Sequence, residues 1–339
     1  MNRLGSQRQL SIQDSTEVGV ARRAGACLAA DLDFSEVRAG QLALIITESA
    51  TNILKHADGG EILLRTVYNG DRGGVEVLAI DAGPGIPDLE RQMVDGQSSA
   101  GSYGVGLGAM QRLAQTIDIY TAPGSGCILW TLIWDDGIGP AEDDWQLGAV
   151  CLPMIGEESC GDDWYVREDS GLLTMLVTDG LGHGPLAADA SRAASLAIKE
   201  APLRPPGALM ETVHTALKGT RGAAAAIAQF GSEQGEMVFA GIGNISASFF
   251  NDSKRRHLLS HNGIVGSNVR KIQEFREPWR NGNLCIAHSD GIGTRWNLDD
   301  YPGLERCHPA LIAAVIYRDH SRRRDDVSIV AVREVSELL

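Results

Sequence analysis

The feature that most constrains this chain is a glycine-dense stretch at residues 96–108, which reads GQSSAGSYGVGLG. Glycines 104, 106 and 108 would allow backbone N–H groups to approach anionic oxygens closely. Residues 109–114 predict a helix, and the positive end of its dipole would favour phosphate at its start. The stretch therefore predicts a phosphate-binding loop, and a flexible surface turn is the alternative.

Two common nucleotide-binding loops fit this stretch poorly. A P-loop requires Gly-Lys followed by Ser or Thr, and no lysine of this chain follows a glycine. Gly104, Gly106 and Ala109 satisfy the Rossmann spacing, but that loop must follow a strand directly. A polar run precedes it here, so neither fold is favoured.

A second feature is a polar stripe on an apolar helix. Residues 39–57 predict a helix in which Glu48, Asn52 and His56 recur every four residues and share one face. A solvent-facing stripe is the alternative, and His56 is equally well explained as a packing residue.

A third feature lies between the helix and the glycine-rich stretch. Residues 75–80 predict a strand that ends at Asp81 and turns at Gly83 and Gly85. A helical Glu and Asn, then Asp-x-Gly-x-Gly after a strand, then a glycine-rich lid, resembles the Bergerat (GHKL) ATP-binding fold. Within that fold the pattern is similar to the small RsbT/RsbW-like serine/threonine kinases, over the residues up to 135.

The resemblance implies roles for these residues. Asn52 would hold the Mg²⁺ that bridges the ATP phosphates, and Glu48 would be the general base that takes the proton of the attacking hydroxyl. Asp81 would accept a hydrogen bond from the adenine amino group. Sensor histidine kinases share these motifs but need an upstream phosphoacceptor histidine, and the first 40 residues contain none. The glycines would line the nucleotide, beside the base at Gly83 and Gly85 and around the phosphates at Gly104, Gly106 and Gly108.

The second half of the chain places aspartates at the ends of apolar strands or beside glycines. One Asp-Gly after a strand is most often a turn, but four such carboxylates suit Mg²⁺ or Mn²⁺. Two metals held in this way can bind a phosphate and lower the pKa of a shared water. The four aspartates are Asp162, Asp179, Asp290 and Asp325.

These four motifs, in this order, resemble the SpoIIE/RsbX branch of the metal-dependent (PPM) protein phosphatases. The resemblance implies that Asp179 bridges both metals with help from the Gly180 carbonyl. It also implies that Asp290 and Asp325 complete the shell of one metal, and that Asp162 serves the other.

The sequence leaves some residue assignments in this half undecided. Asp163 and Asp326 adjoin two of the expected ligands, so each of those assignments has a neighbouring alternative. His183 is a candidate acid for the leaving group, at a position that differs from that of the histidine in larger members of the superfamily.

Composition limits the remaining possibilities. The chain has 339 residues and a formal net charge of −14, which disfavours nucleic acid as a partner. No apolar run approaches the roughly 18 residues of a membrane helix, and residues 1–10 lack the apolar core of a signal peptide. The six cysteines contain no C-x-x-C pair, so neither a zinc site nor a disulfide framework is indicated. We expect a cytoplasmic protein that does not bind membranes.

The sequence thus predicts an α+β protein with two domains. Residues 1–135 would form a GHKL α/β two-layer sandwich, residues 136–144 an acidic linker, and residues 145–339 a PPM-type β-sandwich flanked by helices. The expected function is that of a serine/threonine kinase and phosphatase in a partner-switching pathway. By resemblance, its substrate would be a STAS-domain antagonist protein, with a sigma factor as a further partner of the kinase module. The alternative is a first domain that binds ATP or a partner without catalysis and controls an active phosphatase.

Overall fold

The computed structural model describes residues 3–89, 93, 106–135, 144–231, 235–251 and 254–335. The chain divides into two compact units. The N-terminal unit comprises Asn2–Glu142 and Asn297–Val315, and the C-terminal unit comprises Asp143–Trp296 and Ile316–Leu339. The expected linker at 136–144 lies outside the described residues except for Asp144.

The N-terminal unit contains one antiparallel sheet with the strand order β1-β3-β4-β6-β5, and β2 pairs with the free part of β3. Along the chain, three pairs of strands are separated by helices. The elements are β1 (Arg3–Leu4), β2 (Arg8–Ile12), α1 (Ser15–Asp31), α2 (Glu36–His56), β3 (Gly60–Asn69), β4 (Arg72–Asp81), α3 (Leu107–Leu113), β5 (Thr116–Thr121) and β6 (Cys127–Trp134).

Local sequence explains where the two long helices begin. The Asp14 side chain accepts hydrogen bonds from the first turn of α1, and the Glu17 side chain returns to the Asp14 backbone, which forms a capping box. Ser35 caps α2 in the simpler way, with its hydroxyl accepting from the Arg38 N–H at 3.3 Å. The apolar faces of both helices pack on alternate residues of the sheet and form the core of the unit.

The sheet face away from these helices is buried as well. Leu78 and Trp134, which alternate with the core residues of their strands, are both fully buried. Trp130 stacks on His308, which belongs to the same unit, at a centroid distance of 3.8 Å. The His308 backbone N–H donates to the Asp118 carboxylate at 3.0 Å. Residues 297–315 therefore contribute to the packing of this unit.

The C-terminal unit contains two five-stranded antiparallel sheets with the strand orders β14-β11-β10-β9-β8 and β13-β12-β15-β16-β7. Trp145 and Phe249 of one sheet contact Phe230 and Trp279 across the interior, which shows that the sheets face each other. Helices α4 and α5 cover the outer face of the first sheet through a second apolar cluster. The strands are β7 (Trp145–Leu152), β8 (Asp162–Asp169), β9 (Leu172–Gly180), β10 (Ala223–Gly231), β11 (Glu236–Ile242), β12 (Ser246–Asn251), β13 (Lys254–Leu258), β14 (Phe275–Pro278), β15 (Leu284–His288) and β16 (Val327–Glu334). The helices of this unit are α4 (Pro185–Glu200) and α5 (Pro206–Ala216). The 3₁₀ turns Leu298–Asp300 and Leu304–Arg306 belong to the N-terminal unit, and α6 (Pro309–His320) begins in that unit and ends in the C-terminal one.

The predicted fold class is confirmed for both halves: a helix-and-sheet sandwich followed by a two-sheet sandwich with helices outside it. Among the helices that the structure describes, none is both long enough and apolar enough to cross a membrane.

Candidate active sites

Helix α2 carries the first two residues of the expected ATP site. Glu48 and Asn52 lie one turn apart and are both half-buried. Burial raises the pKa of the Glu48 carboxyl, and Lys55 opposes this shift. A carboxylate with a raised pKa is a stronger proton acceptor, which suits a general base. His56 ends the same helix with an exposed side chain, which does not support a packing role.

Asp81 is the last residue of β4, and its carboxylate is held by the turn that follows. Its Oδ1 accepts hydrogen bonds from the backbone N–H groups of Gly83, at 2.9 Å, and Cys127, at 3.1 Å. Gly85 has a φ of +76°, and a Cβ at this position would lie 2.3 Å from the Ala122 carbonyl oxygen. Only glycine meets both conditions, so the Asp-x-Gly-x-Gly motif orients the carboxylate and lets two backbone segments pass closely.

The glycine-rich stretch is only partly described, and Gly104 lies outside the described residues. Gly106 immediately precedes α3, and Gly108 is buried in its first turn. Met110 of α3 contacts the Ser49 hydroxyl of α2 at 3.7 Å. The end of the stretch is thereby packed beside the helix that carries Glu48.

In the C-terminal unit, Asp162 and Asp179 lie opposite each other on the neighbouring strands β8 and β9. Asp163 points to the other face of β8, because successive side chains alternate across a strand. The Ser195 hydroxyl of α4 and the Trp164 N–H lower the pKa of Asp163, but burial outweighs both and raises it. The geometry therefore favours Asp162 over its neighbour as the residue that faces Asp179.

Asp290 follows β15 and adds a third carboxylate. Asn244, in the turn between β11 and β12, donates its Nδ2–H to Asp290 Oδ2 at 2.7 Å. Ser289 anchors this strand end to β16, because its backbone N–H donates to the Ser328 carbonyl and its hydroxyl accepts from the Ser328 N–H. Asp290 is thus held by a side-chain amide and by strand pairing.

Asp325 and Asp326 are the two residues immediately before β16. Asp325 is exposed, whereas Asp326 is buried and its Oδ1 accepts from the Met154 N–H at 2.8 Å. Burial and then the Asp290 carboxylate raise the pKa of Asp325, which places it near that ligand candidate. Both aspartates act electrostatically on Asp179, and Asp326 also acts on Asp162.

The chemistry of these carboxylates fits divalent cations. Burial, followed by repulsion from Asp290, raises the pKa of Asp179 to about 7. Burial, followed by repulsion from Asp179, raises the pKa of Asp162 well above its usual range. The buried Oδ2 atoms of Asp162 and Asp326 have no hydrogen-bond partner among the described residues. In that part of the chain, no three carboxylate, imidazole or thiol groups lie at the spacing of a ready-made metal cage, so a cation would draw the carboxylates together as it neutralises them.

His183 lies in the loop between β9 and α4. Its Nδ1 pairs with Glu157 Oε1 at 2.8 Å, and more than half of its ring is exposed. His183 also lowers the pKa of Asp325, so the imidazole borders the carboxylate group. It is accessible to a leaving group, although Glu157 already holds one of its nitrogens.

Sequence reasoning missed the polar residues that support the ligand candidates. Asn244 is not among the residues that the sequence patterns single out, but it bonds directly to Asp290. Its signal was a polar residue immediately after a strand, the same signal that identified the aspartates. Ser289 and Ser328 gave no such signal, because their roles arise from pairing between β15 and β16.

Comparison with known proteins matches a different family to each half of the chain. Residues 13–132 match the family model of the histidine kinase-like ATPase domain, and residues 169–334 match that of stage II sporulation protein E (SpoIIE). The serine/threonine-protein kinase RsbT of Bacillus subtilis (strain 168) is 30% identical over 131 residues, which are 39% of this chain and 98% of that protein. The phosphoserine phosphatase RsbX of the same organism is 27% identical over 142 residues, which are 42% of this chain and 71% of that protein.

A solved structure extends the second match to the fold. The crystal structure of RsbX in complex with magnesium superposes with a TM-score of 0.52 at 22% identity, covering 57% of this chain and 97% of that one. At this identity the likeness establishes the fold alone. These matches show that the chain belongs to the RsbT-like family of histidine kinase-like ATPases through its first part, and that its second part matches the SpoIIE family model and has the fold of RsbX.

Proposed function

We propose that this chain is a bifunctional partner-switching regulator of the cytoplasm. Its N-terminal domain, residues 1–135, would phosphorylate a serine or threonine of a partner protein, and its C-terminal domain, residues 145–339, would remove that phosphate. The observation that carries the proposal is that one chain contains both groups of residues. Glu48, partly shielded from water, lies one turn from Asn52, and a separate group of buried aspartates around Asp179 repel one another.

The kinase step assigns a task to each residue of the first site. Glu48 takes the proton of the substrate hydroxyl as the oxygen attacks the γ-phosphorus, and ADP leaves. Asn52 would hold the Mg²⁺ of the nucleotide through its side-chain carbonyl oxygen. Asp81, oriented by two backbone N–H groups, accepts from the adenine amino group.

The phosphatase step depends on the aspartates. Asp179, with the Gly180 carbonyl, would bridge two Mg²⁺ or Mn²⁺ ions, and the other three, Asp162, Asp290 and Asp325, would complete their shells. When bound, such ions hold the phosphate and supply a water of lowered pKa. Asn244 keeps Asp290 turned toward the group through its 2.7 Å hydrogen bond. The serine of the partner leaves as an alcohol and must gain a proton. His183, the titratable side chain of the loop after β9, would supply it.

The substrate we propose is a STAS-domain protein, with a sigma factor as a second partner of the kinase domain. This proposal rests on the similarity to RsbT and RsbX. The acidic net charge of −14 is in keeping with protein partners rather than nucleic acid.

The experiment uses the full chain and measures each activity separately. Kinase activity is followed as transfer of labelled phosphate from ATP to candidate STAS proteins in the Asp179→Asn variant, which cannot remove the label. Glu48→Gln should abolish transfer, whereas Glu36→Gln, on the exposed first turn of the same helix, should not. Phosphatase activity is followed on p-nitrophenyl phosphate with Mn²⁺. Transfer that persists in Glu48→Gln would contradict the kinase assignment, and hydrolysis that persists in excess chelator would contradict the phosphatase assignment.

A further inference from the structure

Two cysteines outside the proposed catalytic groups lie next to each other in the C-terminal unit. The Sγ atoms of Cys151 and Cys160 are 3.7 Å apart. Both cysteines are of intermediate exposure and neither is in a disulfide, whereas Cys285, in the same sheet as Cys151, is buried. Cys160 ends a loop, residues 153–160, whose residues are all exposed or partly exposed, so a reagent from solvent would approach the pair from that side.

The backbones of the two cysteines are held differently. Cys151 lies within β7, where it pairs with Ser328 of β16. Cys160 lies in the loop that leads into β8 and is two residues from Asp162. The Cys151 thiol also donates to the backbone carbonyl of Asp162, at 3.7 Å. The thiol pair thus connects a strand-bound residue to the segment that positions a proposed metal ligand.

We propose that Cys151 and Cys160 form a modification site at which hydroperoxides convert two thiols into a disulfide, and that this disulfide weakens metal binding at the neighbouring aspartates. The first part concerns the thiols alone, and the second rests on the proposed phosphatase function.

The chemistry balances in two steps. One thiol attacks the distal oxygen of a hydroperoxide, which becomes an alcohol or water, and the sulfur becomes a sulfenic acid. The second thiol then attacks that sulfur, the S–S bond forms and water leaves. Overall the two cysteines lose two protons and two electrons to the hydroperoxide. A dithiol reductant reverses the change.

The disulfide acts on the aspartates through a short movement. The S–S bond length is about 2.0 Å, so the sulfur atoms must approach each other from 3.7 Å. Most of this shift falls on Cys160, because Cys151 is held in a paired strand. The next residue, Gly161, accepts hydrogen bonds on its carbonyl from the Gly180 N–H, at 3.0 Å, and from the Ser191 hydroxyl, at 2.5 Å. A pull on this segment therefore disturbs both Asp162 and the loop that follows Asp179.

The first measurement reads the disulfide directly. The full chain, freed of metal, is treated with hydrogen peroxide, its remaining thiols are blocked, and its intact mass and peptides are determined. We expect the loss of two hydrogen atoms and a cross-linked peptide that joins Cys151 to Cys160. Cys160→Ser should prevent the cross-link, and Cys307→Ser, which removes another partly exposed cysteine outside the pair, should leave it intact. Absence of the cross-link in wild type, or a cross-link between other cysteines, overturns the proposal.

The second measurement reads the effect on the metal centre. Mn²⁺ affinity is measured by calorimetry for the reduced and oxidised forms of each protein, and p-nitrophenyl phosphate hydrolysis is followed in parallel. Oxidation should lower affinity and activity about tenfold in wild type and in Cys307→Ser, and should change neither in Cys160→Ser. Dithiothreitol should restore both. If the disulfide forms without changing Mn²⁺ affinity, the proposal that it weakens metal binding is overturned. If the reduced protein binds Mn²⁺ but hydrolyses nothing, the proposed phosphatase function is refuted, and the proposal that the two cysteines form a disulfide stands.

Discussion

Replacing Asp179 with asparagine should stabilise the metal-free C-terminal unit near neutral pH and above, and should remove its response to metal. Burial, then repulsion from Asp290 and Asp325, raise the pKa of Asp179 from 3.8 to about 7. The native carboxyl therefore keeps its proton over a pH range in which the unfolded one has lost it. Stability from this proton is fully present below pH 3.8 and is lost as the pH rises to about 7.

The size of the effect follows from the shift. One pKa unit corresponds to about 1.4 kcal/mol, so at about pH 8 the metal-free wild type should have lost about 4 kcal/mol that it holds at acid pH. The Asp179→Asn variant carries no titrating group at this position and should not show this loss. Mn²⁺ should narrow this difference, because bound metal stabilises wild type by about 2.7 kcal/mol at a hundred times its Kd, and should cancel it near a thousand times Kd, where the stabilisation is about 4.1 kcal/mol.

The assay is urea unfolding of the full chain, followed by pulse proteolysis with identification of peptides from the C-terminal unit. Wild type and Asp179→Asn are compared at about pH 5 and about pH 8, in chelator and in Mn²⁺. Asp189→Asn, which changes an exposed aspartate on α4, is the control and should behave as wild type. If the stability difference between wild type and Asp179→Asn in chelator is the same at both pH values, the reasoning is wrong.

Three further changes test other parts of the account. Asp81→Asn should weaken Mg-dependent ATP binding about tenfold or more, because the amide cannot replace both acceptor oxygens of the carboxylate. The affinity is measured by calorimetry on the full chain, and an unchanged affinity would contradict the role of Asp81 in adenine binding. Gly85→Ala should lower the melting temperature and destabilise the fold by about 1 kcal/mol or more, because φ at this position is +76° and a Cβ would meet a carbonyl oxygen. Gly70→Ala should destabilise it less, because φ there is a similar +61° but the space around the position is open. Equal losses of stability in the two variants would argue against close packing at Gly85. Asn244→Ala should reduce kcat/KM for p-nitrophenyl phosphate about tenfold, because Asp290 loses the hydrogen bond that holds it. Asn262→Ala, which changes an exposed asparagine, should leave kcat/KM unchanged. Equal activity in the two variants would show that Asn244 does not contribute to the site.

Local patterns predicted the helix, strand and turn that carry the first candidate site, because their signals are short in sequence. The four-residue spacing of Glu48 and Asn52 requires only a helix, and α2 supplies it. Asp81 and Gly85 require only a strand followed by a turn, and both are present. What the sequence could not predict is the second buried face of this sheet, since residues 297–315 contribute to its packing from a distant part of the chain.

The second candidate site depends on pairing between strands that are distant in the sequence, so local sequence patterns predicted its arrangement only in part. Each strand-end aspartate was visible, but the choice between Asp162 and Asp163 required the strand register that places Asp162 opposite Asp179. Strand β10 could not be predicted from its own residues, because five of its nine residues are alanines, which favour a helix by propensity. The run becomes a strand because β9 and β11 pair with it on both sides.

The measurement that tests the central claim most directly is the steady-state phosphorylation of one STAS-domain protein by the full chain, read on a Phos-tag gel at constant ATP, Mg²⁺ and Mn²⁺. Two activities joined in one chain act on a shared substrate at high effective concentration, so wild type should hold an intermediate level. Glu48→Ala should leave the substrate dephosphorylated, and Asp179→Asn should drive it to full phosphorylation. If the two variants change the phosphorylation of different proteins, or if Glu48→Ala leaves the level unchanged, the shared-substrate switch is contradicted.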